Sequence, residues 1–238
     1  MDLHESDYFA KGYKGWTPPL PPVIAVPDLL RETIYETLHH RLVTGRILPG
    51  IGMSTRGVAR ELGVSQMPVR EAMTRLAAEG VVDIRSRRHV MVRAMTVTLL
   101  EDLRCCRILF ESEAAKRAQS RITKTQIGEL EQYLARAKSA SKSADSVGVL
   151  EAEYDFHFTL YRASGSPILL PIIDSLWLRF VPYLRAAYDQ FGVQPQIETY
   201  QALIEAVQQQ NTESMLVLLG AEINATMGLV GKPVLPLG

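Results

Sequence analysis

Cysteine is nearly missing from this 238-residue chain, which holds only Cys105 and Cys106, adjacent in sequence. Neighbours on a helix point in directions too different for an ordinary disulfide or a metal clamp, so helix packing is the role left to them. Long apolar runs are missing too. None approaches the ~20 residues of a bilayer span, and Asp2, Glu5 and Asp7 precede any apolar stretch, unlike a secretory leader. The expectation is a cytoplasmic protein without a membrane partner. Extended disorder is disfavoured, since apolar residues make up 47% and charged residues 22% of the chain, ordinary values for a folded protein. A chain of 238 residues is long for one domain and comfortable for two, each with its own core.

Net charge is the remaining absence, because 26 basic and 26 acidic residues cancel. The cancellation hides an uneven distribution, and distribution is what a polyanionic partner feels. Between Arg31 and Arg93 eleven arginines face six acidic residues, which leaves +5 in that segment and −5 in the rest.

Periodicity divides the chain at about the same place. Residues 1–24 mix Tyr13, Trp16, Pro18, Pro19, Pro21 and Pro22 without a helical or strand period and read as an N-terminal arm. After Pro27, Asp28 can cap a helix in which Ile34, Leu38 and Leu42 recur every four residues, and Gly45 supplies the stop. Pro49 and Gly50 make a turn. Ser54 can cap a short second helix carrying Val58, Ala59 and Leu62 and ended by Gly63. Ser65 caps a third, where Pro68 is tolerated because first-turn N–H groups have no intrahelical partner. Its inward face is Val69, Met73, Leu76 and Ala77, which leaves Gln66, Arg70 and Thr74 at spacings of four on the other side. Gly80 closes it. Residues 81–85 and 90–93 then alternate and are rich in β-branched side chains, as two short strands joined by a tip at 86–89.

From Thr96 onward strand signals vanish. Leu99, Leu103, Ile108, Ala114 and Ala115, then Ile127, Leu130 and Leu134, keep helical spacing. A Ser/Lys-rich break covers 139–146, a helix follows over 151–163, Gly165-Ser166-Pro167 is a turn, and helices recur over 176–188, 197–209 and 214–227. The fold class is therefore mainly α, with an N-terminal winged helix-turn-helix and small β-hairpin wing over 25–95 and an all-helical C-terminal bundle domain over 96–238.

Two helices joined by a tight glycine turn, the second presenting polar and cationic side chains, are the geometry that enters the major groove. Cations near phosphates supply affinity and polar groups at base edges supply discrimination. Arg56, Ser65, Gln66, Arg70 and Thr74 on the helices, with Arg87, Arg88 and His89 at the wing, are the DNA-binding candidates. Arginine can bond guanine O6 and N7, and glutamine can pair with adenine N6 and N7, which makes Gln66 a candidate base reader. Arg60 and Arg75 can equally form surface pairs with Glu61 or Glu79. The alternative for the whole set is a solvated helix face, against which capping, turn spacing, wing and charge asymmetry agree.

The stretch Leu48-Pro49-Gly50, the run Val58-Ala59-Arg60-Glu61-Leu62-Gly63-Val64-Ser65-Gln66-Met67-Pro68-Val69-Arg70-Glu71-Ala72-Met73, and Ala78-Glu79-Gly80-Val81-Val82 resemble the GntR family of bacterial regulators. The resemblance implies a homodimer with one winged domain on each half-site of a near-palindromic operator in double-stranded DNA, and arginines at Arg56 and Arg70 that touch it. The family commonly has arginine where Gln66 sits and glycine where His89 sits, which implies altered base and wing contacts.

Arg107-Ile108-Leu109-Phe110-Glu111, Phe156-His157 and Ala163-Ser164-Gly165-Ser166 are similar to motifs of the FCD effector-binding domain that marks the FadR-type subgroup. That likeness implies a small-molecule effector, a carboxylate in many members, held with the help of a divalent metal on an aspartate and three histidines. The corresponding residues here are Glu153, His157, Tyr200 and Glu222, so only the first histidine is kept. The i, i+4 spacing puts Glu153 and His157 on one helix face, and Glu153, His157 and Glu222 form a degenerate candidate metal site. Tyrosine at neutral pH is a poor zinc ligand, so this set suits a harder or weakly held ion, if it holds one. Without a metal, His157, Tyr200 and Glu222 can bond an organic effector directly, with Arg107 the partner of an acidic one. Two bland readings stand beside these: His157 as a hydrogen-bonded core residue, and Arg107 paired with Glu111 as structure.

The function these observations point to is a sequence-specific transcription regulator, a repressor in the first instance, whose operator affinity is controlled by a small carboxylate metabolite, and not an enzyme. The competing classes are a metal-dependent hydrolase fused to a DNA-binding module, which lacks an evident acid–base pair, and an architectural DNA-binding protein without a ligand.

Overall fold

A computed structural model describes residues 27–86, 89–193 and 195–232. The arm expected over 1–24 and the wing arginines Arg87 and Arg88 lie outside the described residues. Three helices come first: α1 (Pro27–Val43), α2 (Thr55–Leu62) and α3 (Gln66–Ala78). The four-residue stripe of α1 is its buried face, with Ile34, Leu38 and Leu42 at 1% exposure or less. Asp28 falls inside α1 and not ahead of it. Ser54 caps α2 by accepting from the Gly57 N–H, and Gly63 ends it at φ +67°, a conformation glycine adopts without a Cβ penalty. Ser65 stands at the N-cap of α3, but its hydroxyl makes no capping bond. Val69, Ala72, Met73 and Leu76 face inward, whereas Ala77 is only half-buried.

The wing is an antiparallel pair, β1 (Val82–Ser86) and β2 (His89–Val92), with a register shift between Ile84 and Ser86. Met53 exchanges both backbone hydrogen bonds with Val90, at 2.7 and 2.9 Å, which fastens the wing to the turn before α2.

Six helices follow among the described residues: α4 (Val97–Ala118), α5 (Lys124–Lys142), α6 (Ser146–Arg162), α7 (Leu169–Phe191), α8 (Ile197–Gln208) and α9 (Thr212–Val230). The hydroxyl of Thr96 accepts from the Leu99 N–H and starts α4. The break expected over 139–146 is shorter, because α5 runs on to Lys142 and only Ser143 to Asp145, with Ala144 at φ +53°, interrupt the helices. Cys105 is exposed, so it does not pack as the sequence suggested. By length and composition α9 is apolar enough to cross a membrane, a property hidden in the sequence because Glu213 and Glu222 divide the run. Its Met215, Leu219, Ile223, Met227 and Val230 are buried, as in the core helix of a bundle.

The two halves are joined through α6 and α7. His39 Nε2 of α1 lies 2.5 Å from Asp174 of α7, whose other oxygen accepts from the Tyr154 hydroxyl of α6 at 3.0 Å. Arg46 bonds Glu151 of α6 at 2.5 Å. The Tyr183 hydroxyl accepts from the Met95 N–H at 2.9 Å and donates to the Arg93 carbonyl at 2.7 Å, which ties the chain leaving the wing to α7. Gly45, at φ +64°, lies so close to α7 that an added Cβ would stand 2.5 Å from Arg185 Cβ and 2.7 Å from Leu150 Cδ1. Glycine is required there on both counts.

Candidate functional site

Burial and pairing sort the arginines of the first half into two groups. Arg31 pairs with Glu71 at 2.7 Å, Arg41 with Glu61 at 2.8 Å, and Arg75 with Glu32 at 3.0 Å and Glu79 at 3.3 Å. These charges are neutralised within the domain. Of the surface pairs open to Arg60 and Arg75, Arg75 forms its pair with Glu79, whereas among the described residues Glu61 takes Arg41 and not Arg60. Arg56 and Arg70 are exposed and carry no ion pair among the described residues. Arg56 sits in the first turn of α2, and Arg70 in the first half of α3 beside exposed Ser65, Gln66 and Thr74. Thr74 bonds back to the Arg70 carbonyl at 2.8 Å, and His89 is exposed where the wing begins its return. The first half of α3 thus carries a free hydroxyl, an amide and one unneutralised cation, all exposed. The sequence reading missed Met67, which is 66% exposed beside Gln66. Its signal was available, as a large apolar residue off the Val69–Met73–Leu76 stripe.

In the helical half, α4, α6, α7, α8 and α9 aim polar side chains into one buried cluster. Glu153, His157 and Tyr161 follow one another at four-residue spacing on α6, so all three face the same way. His157 Nδ1 lies 3.0 Å from the Tyr161 oxygen, and that hydroxyl reaches Glu111 of α4 at 2.5 Å. Glu111 also accepts from Trp177 Nε1 at 3.2 Å and from Arg107 Nε at 2.7 Å. The Arg107 guanidinium lies 4.3 Å from the centre of the Phe180 ring, and both it and Glu111 are 0% exposed. Of the two roles open to Arg107, pairing with Glu111 is the one formed. Tyr200 of α8 lies 3.4 Å from Glu222 Oε1 of α9, and Tyr188 of α7 bonds Glu153 at 3.1 Å. The structure therefore brings His157, Tyr200, Glu222 and Glu153 together and joins Arg107 to them through Glu111. Glu111, Tyr161, Trp177 and Tyr188 were not singled out in the sequence. Continuing the α6 stripe one more turn reaches Tyr161, and one turn beyond Arg107 is Glu111, but nothing local marks Tyr188 or Trp177.

Burial dominates the chemistry of this cluster. It pushes the Glu153 carboxyl up to about 8, with the Glu222 charge adding to the effect and the Tyr188 and Tyr200 hydroxyls opposing it. Glu222 rises to about 7, again by burial, with Arg107 opposing. His157 falls to about 3 through burial and then the Arg107 charge, so it is a neutral imidazole. Burial likewise keeps Tyr200 protonated, well above its ordinary range.

Comparison with known proteins matches residues 30–92 to the model for bacterial regulatory proteins of the gntR family, and residues 102–220, half of the chain, to the FCD domain. The chain belongs to the GntR family. Its two halves are a GntR helix-turn-helix domain and a C-terminal FCD domain, the architecture of the FadR-type subgroup, and it is a DNA-binding transcriptional regulator. Among its GntR relatives is the HTH-type transcriptional regulator McbR of Escherichia coli K12, 28% identical over 183 residues that cover 76% of this chain and 83% of McbR. The HTH-type transcriptional repressor RspR of the same organism is 29% identical over 147 residues, covering 62% of this chain and 64% of RspR. The solved structure of E. coli McbR superposes with a TM-score of 0.78 at 25% identity, covering 84% of this chain and 96% of that one. GntR regulators are not enzymes, and neither the hydrolase reading nor the ligand-free architectural one draws support from these relatives.

The metal that FCD domains sometimes carry was tested against the residues present. Among the described residues no group of three or more His, Cys, Asp or Glu side chains could hold an ion. His157 Nε2 and Glu222 Oε2 do approach to 3.8 Å, but Glu153 is taken up by the Tyr188 hydroxyl, and Tyr200 puts a phenol where the motif has a histidine. One imidazole and one carboxylate fall short of the four donors of a closed zinc site. The set Glu153, His157 and Glu222 does not fit a resident metal.

Proposed function

We propose that this GntR regulator is a homodimeric, cytoplasmic repressor that reads a near-palindromic operator with α3 and releases it when a small effector enters the buried cluster of the helical half. The observation that carries the DNA half of this reading is the division among the arginines, since Arg31, Arg41 and Arg75 are neutralised within the fold and Arg56 and Arg70 are left to phosphate or base. Gln66 is the adenine reader, and Ser65, Thr74, His89, Arg87 and Arg88 complete the DNA-binding surface. Exposed Met67 suits a thymine methyl group, the apolar feature of the major groove. Met95 and Thr96 mark the boundary between a DNA-binding unit over 25–95 and an effector-binding unit over 96–238.

On the effector side, α6 is the natural transmitter. Glu153 and His157 face the cluster, whereas Glu151 and Tyr154 hold Arg46 and the His39–Asp174 pair at the DNA half. An effector preferring one setting of α6 shifts the operator-competent population by the difference in its affinity for the two settings. Arg107 contributes to the site through its bond to Glu111 and through its charge, which acts on Glu222 and His157.

Selection of bound fragments from random duplexes, followed by gel shifts, tests the reading. A recurring two-fold motif whose affinity exceeds that for scrambled DNA at fixed salt is expected. Binding that depends on salt and not on sequence refutes it.

A further inference from the structure

Two hydrogen-bond acceptors confront each other inside the effector cluster. Tyr161 has one hydroxyl proton, and the 2.5 Å contact with Glu111 uses it. The 3.0 Å contact between the same oxygen and His157 Nδ1 is then donated by the imidazole. His157 accordingly carries its proton on Nδ1, and its Nε2 is a bare lone pair. That atom is buried without a hydrogen-bond partner among the described residues, and so is Glu222 Oε2, 3.8 Å from it. The separation is too long for Glu222 to serve as the donor to His157. Glu222 Oε1 is the oxygen that faces Tyr200, at 3.4 Å.

Ligand chemistry follows from this pairing. A carboxylate would bring further acceptors to two lone pairs that already lack a donor. Among the described residues the cluster's guanidinium is already engaged, since Arg107 gives Nε and Nη2 to Glu111 at 2.7 and 3.4 Å and turns Nη1 to the Met227 sulfur at 3.7 Å. A group bearing several N–H bonds and positive charge satisfies both acceptors at once. The surroundings suit such a group. The rings of Trp177, Tyr200 and Phe156 pack around the imidazole at centroid distances of 5.1, 5.4 and 5.5 Å, and aromatic faces attract cations.

We propose that the effector presents a protonated amine whose N–H groups bond His157 Nε2 and Glu222 Oε2 together, in place of the metal-held carboxylate that the FCD resemblance implied. The inference rests on the effector-controlled reading above and specifies its ligand class.

The test uses the full chain, with and without its selected operator duplex. Linear, branched and aromatic primary amines are compared with the alcohols and carboxylates of the same carbon skeleton, and with Zn²⁺ and Mn²⁺ alone, by calorimetry and thermal shift. At least one amine is expected to bind and to weaken operator affinity, with its alcohol and carboxylate counterparts inactive. Glu222→Gln is expected to weaken that amine roughly tenfold or more, the loss typical of a charged hydrogen bond. Should that variant not fold, the wild-type protein labelled with ¹⁵N in histidine gives the answer directly. The His157 Nε2 resonance moves away from its lone-pair position when the amine is added and stays put with the alcohol. If carboxylates or a metal alone bind and change operator affinity while amines do not, the ligand class is overturned and effector control stands. If no probe of any class binds or alters operator affinity, both readings fall.

Discussion

Replacing Arg107 with methionine keeps most of the stem and removes the charge, so it separates a structural guanidinium from a ligand-binding one. Arg107 and Glu111 are both 0% exposed, one turn apart on α4, and meet at 2.7 Å. With Arg107 gone, Glu111 retains Tyr161 at 2.5 Å and Trp177 at 3.2 Å as neutral donors but has lost its counter-charge. Breaking a buried pair from one side typically costs ~3–5 kcal/mol, and the two surviving donors place the expected loss near the lower end, at about 3 kcal/mol. In a protein of this size each kcal/mol moves the midpoint by ~2–4 °C, so thermal unfolding should fall by roughly 6–12 °C. The double variant Arg107→Met/Glu111→Gln removes both charges while leaving an acceptor for Tyr161, and should recover more than half of the loss. Urea titration of the four proteins in a double-mutant cycle measures both effects. The reasoning is refuted if Arg107→Met stays within ~1 kcal/mol of the parent, or if Glu111→Gln adds its full cost on top.

Acidity offers an independent check on the buried cluster. Glu153 and Glu222 have folded pKa values raised to about 8 and about 7, so the folded state keeps protons that the unfolded chain gives up, and stability declines as pH rises. His157, lowered to about 3, opposes this only while the unfolded imidazole still holds protons, which fades above about pH 6.5, so between about pH 6.5 and 8 the two glutamates outweigh it. Urea midpoints should fall across that window, and Glu153→Gln should flatten the fall; an unchanged slope in that variant contradicts the assignment. On the DNA side, Arg56→Ala should weaken binding to all sequences and reduce the salt slope by about 1, whereas Gln66→Ala should relax one base position at a cost of about 1–3 kcal/mol. Quantitative gel shifts across salt concentrations and single-base variants separate the two. Replacing operator thymines one at a time by deoxyuridine, which deletes only the methyl group, should lower affinity at one position per half-site, and Met67→Ala should abolish that sensitivity. Gly45→Ala places a Cβ within 2.5 Å of Arg185 Cβ at a backbone φ of +64°. It should destabilise the protein by more than about 1 kcal/mol and raise hydrogen exchange along the α1–α7 contact, and unaltered exchange there would show that the close approach carries no strain.

The first half of the molecule was legible because its signals are local. Ser54, Gly63 and Gly80 act at the positions their chemistry suggests, and the stripe of Ile34, Leu38 and Leu42 is the stripe that packs. Helix α4 was read less well. Apolar spacing pointed to Leu99 and Ile108, whereas the buried face runs through Leu100, Leu103, Arg107, Glu111 and Ala114. Two charged residues occupy core positions there, and charge in sequence looks like surface until its partner is found on the same stripe. The break before α6 was overestimated because serine and lysine are common in loops and also tolerated on exposed helix faces, and α5 uses them in the latter way. Glu153, His157, Tyr200 and Glu222 lie on three helices, so no local pattern in the sequence joins them; the resemblance to the FCD domain did. What it could not reveal was the use already made of each group, which depends on Tyr161, Tyr188 and Trp177 arriving from elsewhere in the bundle.

The closure of the cluster sets the tempo of any response. His157, Tyr200 and Glu222 are 0%, 1% and 3% exposed, so a ligand reaches them only while neighbouring helices part. Entry then waits on an opening fluctuation on the microsecond-to-second scale. The observed association rate should level off at the opening rate as ligand concentration grows, and escape must wait for the same event. A regulator built this way averages over brief swings in metabolite level and answers to sustained ones.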